Sequence, residues 1–550
     1  MKPQIYVRTR LENALRALGI DPIDPILLNL DKPKQDGFGD LAITSAMSLA
    51  RDLRQPPRKI AEKLLQLLDL DQFYIEKAEI AGPGFINLYL AKSCLQRAVL
   101  EILDERDTFG SDDWGKGIRV QFEFVSANPT GPLNIVSARA AAIGDVLAAL
   151  HEKVGFVVER EYYVNDAGRQ VNLLGASLDV RYRAELGTAG EIPEGGYHGA
   201  YLIDLAKAIL EEYGSSLAEL PDQERRERLG RLALDAMLAK HRASLDKYRL
   251  NYDRWFHETR LRQQSEHLNV LKVLQDKGLI YEDEGATWFR STQFGDEKDR
   301  VLVTSEGEPT YFLIDIAYHQ NKYQRGFAVL HDLWGPDHHG YIDRMRAAIQ
   351  ALGYAADSFR VHIIQQVNLF RGGQVVKMSK RAGEIIEMDE LIEEVGVDAA
   401  RYFFVDRRLS QPLDFDIDLA KKKSDENPVY YIQYAHARIS NVLRYAEEQG
   451  FNSAMAADLS VLTNDAEMEL IKKCLEFPQV VSKAAQFIEP HRLPNYLYEL
   501  ANVFHRFYHD NRVVSDDGAL TQARLLLIQA TRQVIKNGLT LMQITAPENM

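Results

Sequence analysis

Cysteine is almost absent: Cys94 and Cys474 are the only two in 550 residues. Two thiols are too few for a four-thiolate zinc site or a disulfide framework, so a reducing compartment and no bound structural metal are expected. Long apolar runs are absent too. No stretch reaches about 18 consecutive apolar residues, and Met1 to Asp21 mixes Arg8, Arg10, Glu12 and Arg16 into an amphipathic pattern without a signal-peptide core. A soluble, cytoplasmic chain with no membrane partner is the expectation. Nor is there a basic excess. A formal charge of -14 argues against a protein that coats nucleic acid indiscriminately, because such proteins neutralise phosphates with surplus lysine and arginine. A specific RNA partner then requires local patches. Candidates are Arg51, Arg54, Arg58 and Lys59; Arg225, Arg226 and Arg228; and Lys421 to Lys423, though solvated helix faces explain each equally well. Repeats and low-complexity tracts are missing, which removes solenoid and disordered readings.

What the chain has is length, enough for about three domains, since single hydrophobic cores stop growing well below this size. Residues 1–112 alternate helical stretches with a strand-like close, Phe85 to Leu90, after a Pro-Gly turn at Pro83 and Gly84. They read as a small α+β domain ending in the polar, Gly-rich segment Ser111 to Gly117. Residues 113–420 begin with a strand whose apolar positions are 120, 122 and 124, followed by a turn containing Pro129, Gly131 and Pro132. A helix follows in which Ile143, Val146, Leu147 and Leu150 share a face and Gly155 marks the end, and Phe156 to Val158 opens another strand. Strand, turn, helix and strand form a βαβ unit, the building block of a Rossmann-like doubly wound parallel sheet. Such sheets bind ligands at the carboxyl ends of their strands, and the amino terminus of the helix attracts phosphate. Residues 421–550 lose strand signals and read as amphipathic helices, among them Pro428 to Glu448 and Thr521 to Leu541.

Several long strings carry a resemblance. Glu123-Phe124-Val125-Ser126-Ala127-Asn128-Pro129-Thr130-Gly131-Pro132-Leu133 is followed by Glu161-Tyr162-Tyr163-Val164-Asn165-Asp166-Ala167-Gly168, then by Asp315-Ile316-Ala317-Tyr318-His319 and Trp334-Gly335-Pro336-Asp337-His338-His339-Gly340. Lys377-Met378-Ser379-Lys380-Arg381 matches the KMSK loop, while Asp425 to Arg438 and Ala530 to Gly538 are similar to an anticodon-binding domain. Together they resemble the class I arginyl-tRNA synthetases over nearly the whole chain. The resemblance implies ATP with Mg2+ as substrate, and arginine and tRNA(Arg) as partners. It also implies a monomer whose first domain touches the tRNA elbow and whose helical domain reads the anticodon. Lys377, Lys380 and Arg381 would neutralise the departing pyrophosphate, with Met378 and Ser379 in the ATP site. A guanidinium needs carboxylates, because it offers a planar fork of donors and cannot be deprotonated. The family's arginine pocket falls on Glu123, Asn128, Tyr311 and Asp315. Asp315 would take the guanidinium, Tyr311 would cover it, and Glu123 and Asn128 would hold the amino-acid end. In the helical domain Tyr430, Tyr431, Tyr434, His436, Arg438, Phe504, Phe507 and Tyr508 are candidates for stacking on anticodon bases, most of them expected in the core.

The chain also departs from the family. The ATP signature written HIGH should follow Leu133, and the four positions read Asn134, Ile135, Val136 and Ser137. Removing one preorganised donor of this kind typically costs about 100-fold to 1,000-fold in rate. Asn134 and Ser137 can still donate hydrogen bonds, or Ser137 can cap the helix. Val136 puts a β-branched side chain where glycine leaves room for the ligand. Lowered ATP chemistry is therefore expected. The altered motif also motivates a second reading, a catalytically silent relative that keeps tRNA or arginine binding. Asn321, in place of an aspartate, and Phe38, in place of a histidine, are lesser departures.

Overall fold

The computed structural model describes residues 3–33, 37–376, 386–451 and 457–550. At the amino end, strands Leu30–Asp31, Leu41–Ile43, Ile75–Ala81 and Phe85–Leu90 form an antiparallel sheet in the order first, second, fourth, third. Helices Pro3–Ala17, Pro57–Leu67 and Lys92–Glu105 accompany it. The turn joining its last two strands needs glycine at Gly84, where φ is 155° and an added Cβ would meet the Pro57 carbonyl carbon at 2.9 Å.

The central sheet has five strands: β1 (Arg119–Glu123), β2 (Val157–Val164), β3 (Arg254–His257), β4 (Val329–Trp334) and β5 (Phe359–Ile363). All pair in parallel, in the order β3-β2-β1-β4-β5. The chain moves outward from β1 in one direction and then returns to β1's other side. The strand order therefore reverses between β1 and β4, where doubly wound sheets open a ligand crevice. Val120 and Phe122 are buried as expected for β1, but so is Gln121 between them, because a parallel sheet of this kind is covered on both faces.

Helix α1 (Ile135–Lys153) links β1 to β2 and is buried almost all round, including Ile143, Val146, Leu147 and Leu150. A helix placed this deeply needs close approach. At Gly144 an added Cβ would lie 2.2 Å from the Phe124 ring. Arg139, fully buried on α1, donates to the carbonyl oxygens of Gln365, Gln366, Arg408 and Gln411 at 2.9, 3.2, 3.1 and 2.9 Å. Burial lowers its pKa to about 10, so it remains a cation at neutral pH.

Between β2 and β3 a helical insertion ends in α2 (Asp222–Lys247). There Arg225, read from sequence as part of a surface basic patch, is instead buried and paired with Asp179 at 2.6 Å. A short antiparallel sheet, Ile280–Asp283, Ala286–Phe289 and Arg300–Val303, precedes α3 (Tyr311–Gln324). Helix α4 (Ile342–Leu352) connects β4 to β5, and α5 (Met388–Val395) follows the undescribed segment 377–385.

Beyond Lys421 the described residues form no strand. Helix α6 (Pro428–Glu448) starts where Pro428 follows the Asn427 cap, whose side chain accepts the Val429 amide at 3.3 Å. Helices α7 (Arg492–Asp510) and α8 (Gly518–Leu541) pack with it. No described helix is long and apolar enough to cross a membrane. The buried Arg401 fastens this end to the sheet domain, reaching Asp145 Oδ2 at 2.5 Å, the Met542 carbonyl at 2.6 Å and the Tyr248 carbonyl at 2.9 Å.

Candidate active site

The site lies where β1 and β4 end side by side. After Glu123 the chain turns sharply. Val125 and Ser126 have φ of 67° and 37°, a strained region for β-branched valine, and the Ser126 amide reaches back to the Phe124 carbonyl at 3.0 Å. The turn brings Ser126 Oγ to Glu123 Oε1 at 2.9 Å and lets the same oxygen accept the Tyr163 amide at 3.1 Å.

Helix α3 crosses above the two strand ends. Its Tyr318 hydroxyl lies 2.8 Å from Glu123 Oε2 and 2.5 Å from Glu161 Oε1, with one hydrogen to share between the two carboxylates, and Lys322 Nζ reaches Glu123 Oε2 at 2.5 Å and Asp332 Oδ1 at 3.0 Å. Burial opposes both charges of the Lys322–Asp332 pair. Their mutual attraction, with His319 at 2.9 Å from the other Asp332 oxygen, outweighs it and holds Asp332 below the usual carboxylate range and Lys322 above the usual lysine range.

Asp315, one turn earlier on α3, accepts the Tyr341 hydroxyl on Oδ2 at 2.6 Å. Burial pushes its carboxyl up to about 6 against the pull of Tyr341 and His319. Glu123 thus has a lysine as partner, whereas Asp315 has a phenol. Tyr311 follows the Thr310 cap and is 61% exposed. It shares a face with Asp315 at four-residue spacing, and its hydroxyl lies 3.8 Å from the position of a Cβ added to Gly168. It is exposed and is not a core aromatic. Asn128 is exposed, with its side-chain amide 3.2 Å from that of Asn165.

Sequence reading missed Lys322, Asp332 and Tyr341. The first had a legible signal: Asp315, Tyr318, His319 and Lys322 recur at helical spacing on one face of the helix. Asn321, flagged as a departure, points elsewhere and donates to Glu266. Phe38 is exposed. Of the aromatic candidates at the helical end, Phe504, Phe507 and His436 are buried. Arg438 lies 4.8 Å from the Tyr434 ring centre and 4.9 Å from that of Tyr508.

At the amino end of α1, Asn134 is the cap and Ser137 is not. Asn134 Oδ1 accepts the amides of Val136 at 2.9 Å and Ser137 at 3.1 Å, while Ser137 Oγ lies 3.4 Å from the same oxygen. The cap falls to Asn134 because its backbone is extended, with φ of -111° and ψ of -179°, while Ser137 already lies in the first turn. Val136 is 38% exposed. Asn134 forms an isolated antiparallel bridge with Glu387, and the Met388 amide donates to the Leu133 carbonyl at 2.8 Å. Lys240 of α2 holds Glu387 Oε2 at 2.9 Å. Lys377, Met378, Ser379, Lys380 and Arg381 lie outside the described residues.

Three family models match: the arginyl tRNA synthetase N terminal domain over residues 6–90, the catalytic domain of class I tRNA synthetases (R) over 102–409, and the DALR anticodon binding domain over 432–550. An arginine--tRNA ligase of Listeria welshimeri is 49% identical over 549 residues, covering 100% of this chain and 99% of that one. One of Carboxydothermus hydrogenoformans is 47% identical over 98% of this chain and 97% of its own. A solved structure described as a putative arginyl tRNA synthetase from Campylobacter jejuni is 36% identical. It covers 84% of this chain and 100% of that chain, with a TM-score of 0.78. Thermus thermophilus arginyl-tRNA synthetase, 23% identical with a TM-score of 0.78 over 100% of both chains, shares the fold. The catalytic match spans the reversed sheet and the cleft beneath α3, the flanking matches take up the two ends, and the relatives run the chain's full length: it belongs to the class I arginyl-tRNA synthetase family.

Proposed function

We propose that the chain joins arginine to tRNA(Arg) in two steps. The arginine carboxylate attacks the α-phosphorus of ATP, giving arginyl-adenylate and pyrophosphate. A hydroxyl of the terminal ribose then attacks the acyl carbon and AMP leaves. No covalent bond to the protein forms, so the protein contributes position and charge.

The observation that carries this reading is Asp315. It is a carboxylate at the sheet's switch point whose hydrogen-bond donor is the neutral Tyr341, which leaves its negative charge available to a guanidinium. Tyr311, four residues earlier, is placed to cover the side chain. Glu123 and Asn128 hold the amino-acid end. ATP lies against Asn134, Val136 and Ser137 at the amino end of α1 and brings Mg2+ with it. Met378 and Ser379 complete the nucleotide site, and Lys377, Lys380 and Arg381 neutralise the leaving pyrophosphate. The polypeptide divides near residues 112 and 420 into an elbow-binding unit, the catalytic unit and the anticodon reader. It works as a cytoplasmic monomer.

The silent alternative rests on the altered motif. Asn134 leaves it little force: its Oδ1 serves the helix while its Nδ2 makes no hydrogen bond among the described residues, so a donor is still available to a phosphate. The deciding experiment is aminoacylation of tRNA(Arg) with labelled arginine, run beside a variant carrying Asn134→His, Val136→Gly and Ser137→His. Charging by the parent supports the proposal, and a rate near the variant's shows that the altered loop suffices. Charging by the variant alone overturns it in favour of a chain switched off at this loop.

A further inference from the structure

Lys322 has no exposed surface, yet it carries a charge next to a site open to solvent. Its Nζ lies 2.5 Å from Glu123 Oε2 and 3.0 Å from Asp332 Oδ1, and 4.5 Å from the centre of the Tyr318 ring. Asp332 passes the contact on. Its Oδ2 is 2.9 Å from His319 Nε2, and His319 Nδ1 is 2.7 Å from the Asp315 carbonyl oxygen. A continuous polar chain therefore runs from the Glu123 carboxylate through Lys322, Asp332 and His319 to the main-chain oxygen of Asp315 on α3.

Buried ion pairs are a weak source of stability, and apolar residues of like volume often serve a fold as well. A fixed position for Glu123 is what an apolar residue could not supply. Without the ammonium, Glu123 would keep, among the described residues, the Ser126 hydroxyl and a Tyr318 hydroxyl whose one hydrogen is shared with Glu161, and no cation to fix it in place. We propose that Lys322 is a positioning residue for arginine: its ion pair locks the Glu123 carboxylate at the end of β1, with Asp332 and His319 as the counter-anchor. The amino acid then meets a preset acceptor in place of a mobile side chain. The inference rests on reading Glu123 as an arginine contact.

The test is ATP–pyrophosphate exchange with arginine and ATP varied separately, on full-length Lys322→Met, Lys322→Arg and Glu123→Gln, each with a thermal melt. Lys322→Met is expected to raise the KM for arginine by about 10-fold to 100-fold while the KM for ATP holds, and Lys322→Arg to recover most of the loss. A merely structural lysine would lower the melting temperature without separating the two KM values, and that result overturns the inference. If Lys322→Met does not fold, Lys322→Met with Asp332→Asn removes the cation and one buried anion together, and the same split is read from it. An arginine KM that moves in Glu123→Gln but not in the lysine variants sinks this inference alone. One unmoved in Glu123→Gln sinks the Glu123 assignment beneath it.

Discussion

Tyr341 donates its phenolic hydrogen to Asp315 Oδ2 at 2.6 Å, so the carboxylate assigned to the guanidinium is oriented without being neutralised. Burial pushes that carboxyl from its ordinary 3.8 up to about 6. In the free enzyme the folded state therefore holds the proton more tightly than the unfolded chain. Between those two values Asp315 makes stability fall as pH rises. Arginine binding has the opposite sign, because only the ionised form pairs with a guanidinium. kcat/KM for arginine is expected to fall as pH drops through about 6. Tyr341→Phe removes a group that lowers the Asp315 pKa, so the acid limb of the pH profile should move upward. An acid limb unmoved in Tyr341→Phe would count against Asp315 as its source.

Asn134 divides its amide between two tasks, and isosteric substitution separates them. Asn134→Asp keeps the cap oxygen for the Val136 and Ser137 amides but loses the Nδ2 donor. The melting temperature should hold while kcat for pyrophosphate exchange drops by about 100-fold. Asn134→Ala loses both tasks and should also cost about 1 kcal/mol of stability. Comparing kcat with the KM for ATP distinguishes a lost transition-state donor from simple repulsion of the triphosphate by the new carboxylate, which raises KM.

Much of this was legible in the sequence, and what was not has physical causes. The βαβ unit could be read from the apolar spacing at Val120 and Phe122 and along α1, although both elements are buried on more than the one face that spacing marks, Gln121 and Arg139 included. The candidate arginine contacts Glu123, Asn128, Tyr311 and Asp315 came from motif strings; the structure puts Glu123 at the end of β1 and Tyr311 and Asp315 four residues apart on α3, whose Tyr318 and Lys322 reach Glu123. Lys322 escaped because charged residues on helices are read as solvated, and only the packing of α3 onto β1 and β4 shows that this one is not. Arg225 failed in the same way, since nothing local announces Asp179, 46 residues away on another helix. Ser137 and Asn134 are both good caps by composition, and only backbone geometry decides between them.

Three histidines gather under the sheet on the side of α1. His331 Nδ1 lies 2.9 Å from His362 Nε2, and the His151 ring centre is 5.3 Å from that of His331. Burial lowers His151 and His362 to about 4 and holds His331 well below its ordinary value. Folded pKa values below the unfolded one mean that stability is complete above about 6.5 and is lost as pH falls toward about 4, by on the order of a few kcal/mol. Urea midpoints measured across that range should show the decline. His331→Phe, stacked on Phe122 as the imidazole is at 4.4 Å, should flatten it.

Arg401 should be among the costliest residues to truncate. Arg401→Met leaves Asp145 without its bond at 2.5 Å, and frees the Met542 and Tyr248 carbonyls. Losing one partner of a buried ion pair costs about 3 to 5 kcal/mol. Chemical denaturation should show that loss, and a loss below 1 kcal/mol would mean that Arg160, which reaches Asp145 Oδ1 at 3.0 Å, is sufficient alone.

Arg139 holds the amino-terminal part of α1 by a different kind of contact, since all four of its acceptors among the described residues are main-chain oxygens. Main-chain oxygens are the same whatever residue carries them. Gln365, Gln366, Arg408 and Gln411 can therefore drift in sequence without loosening the grip, whereas position 139 cannot: lysine offers three donors on one atom and has no planar fork to spread over four oxygens. The clamp concentrates the intolerance to change of four neighbouring positions into one.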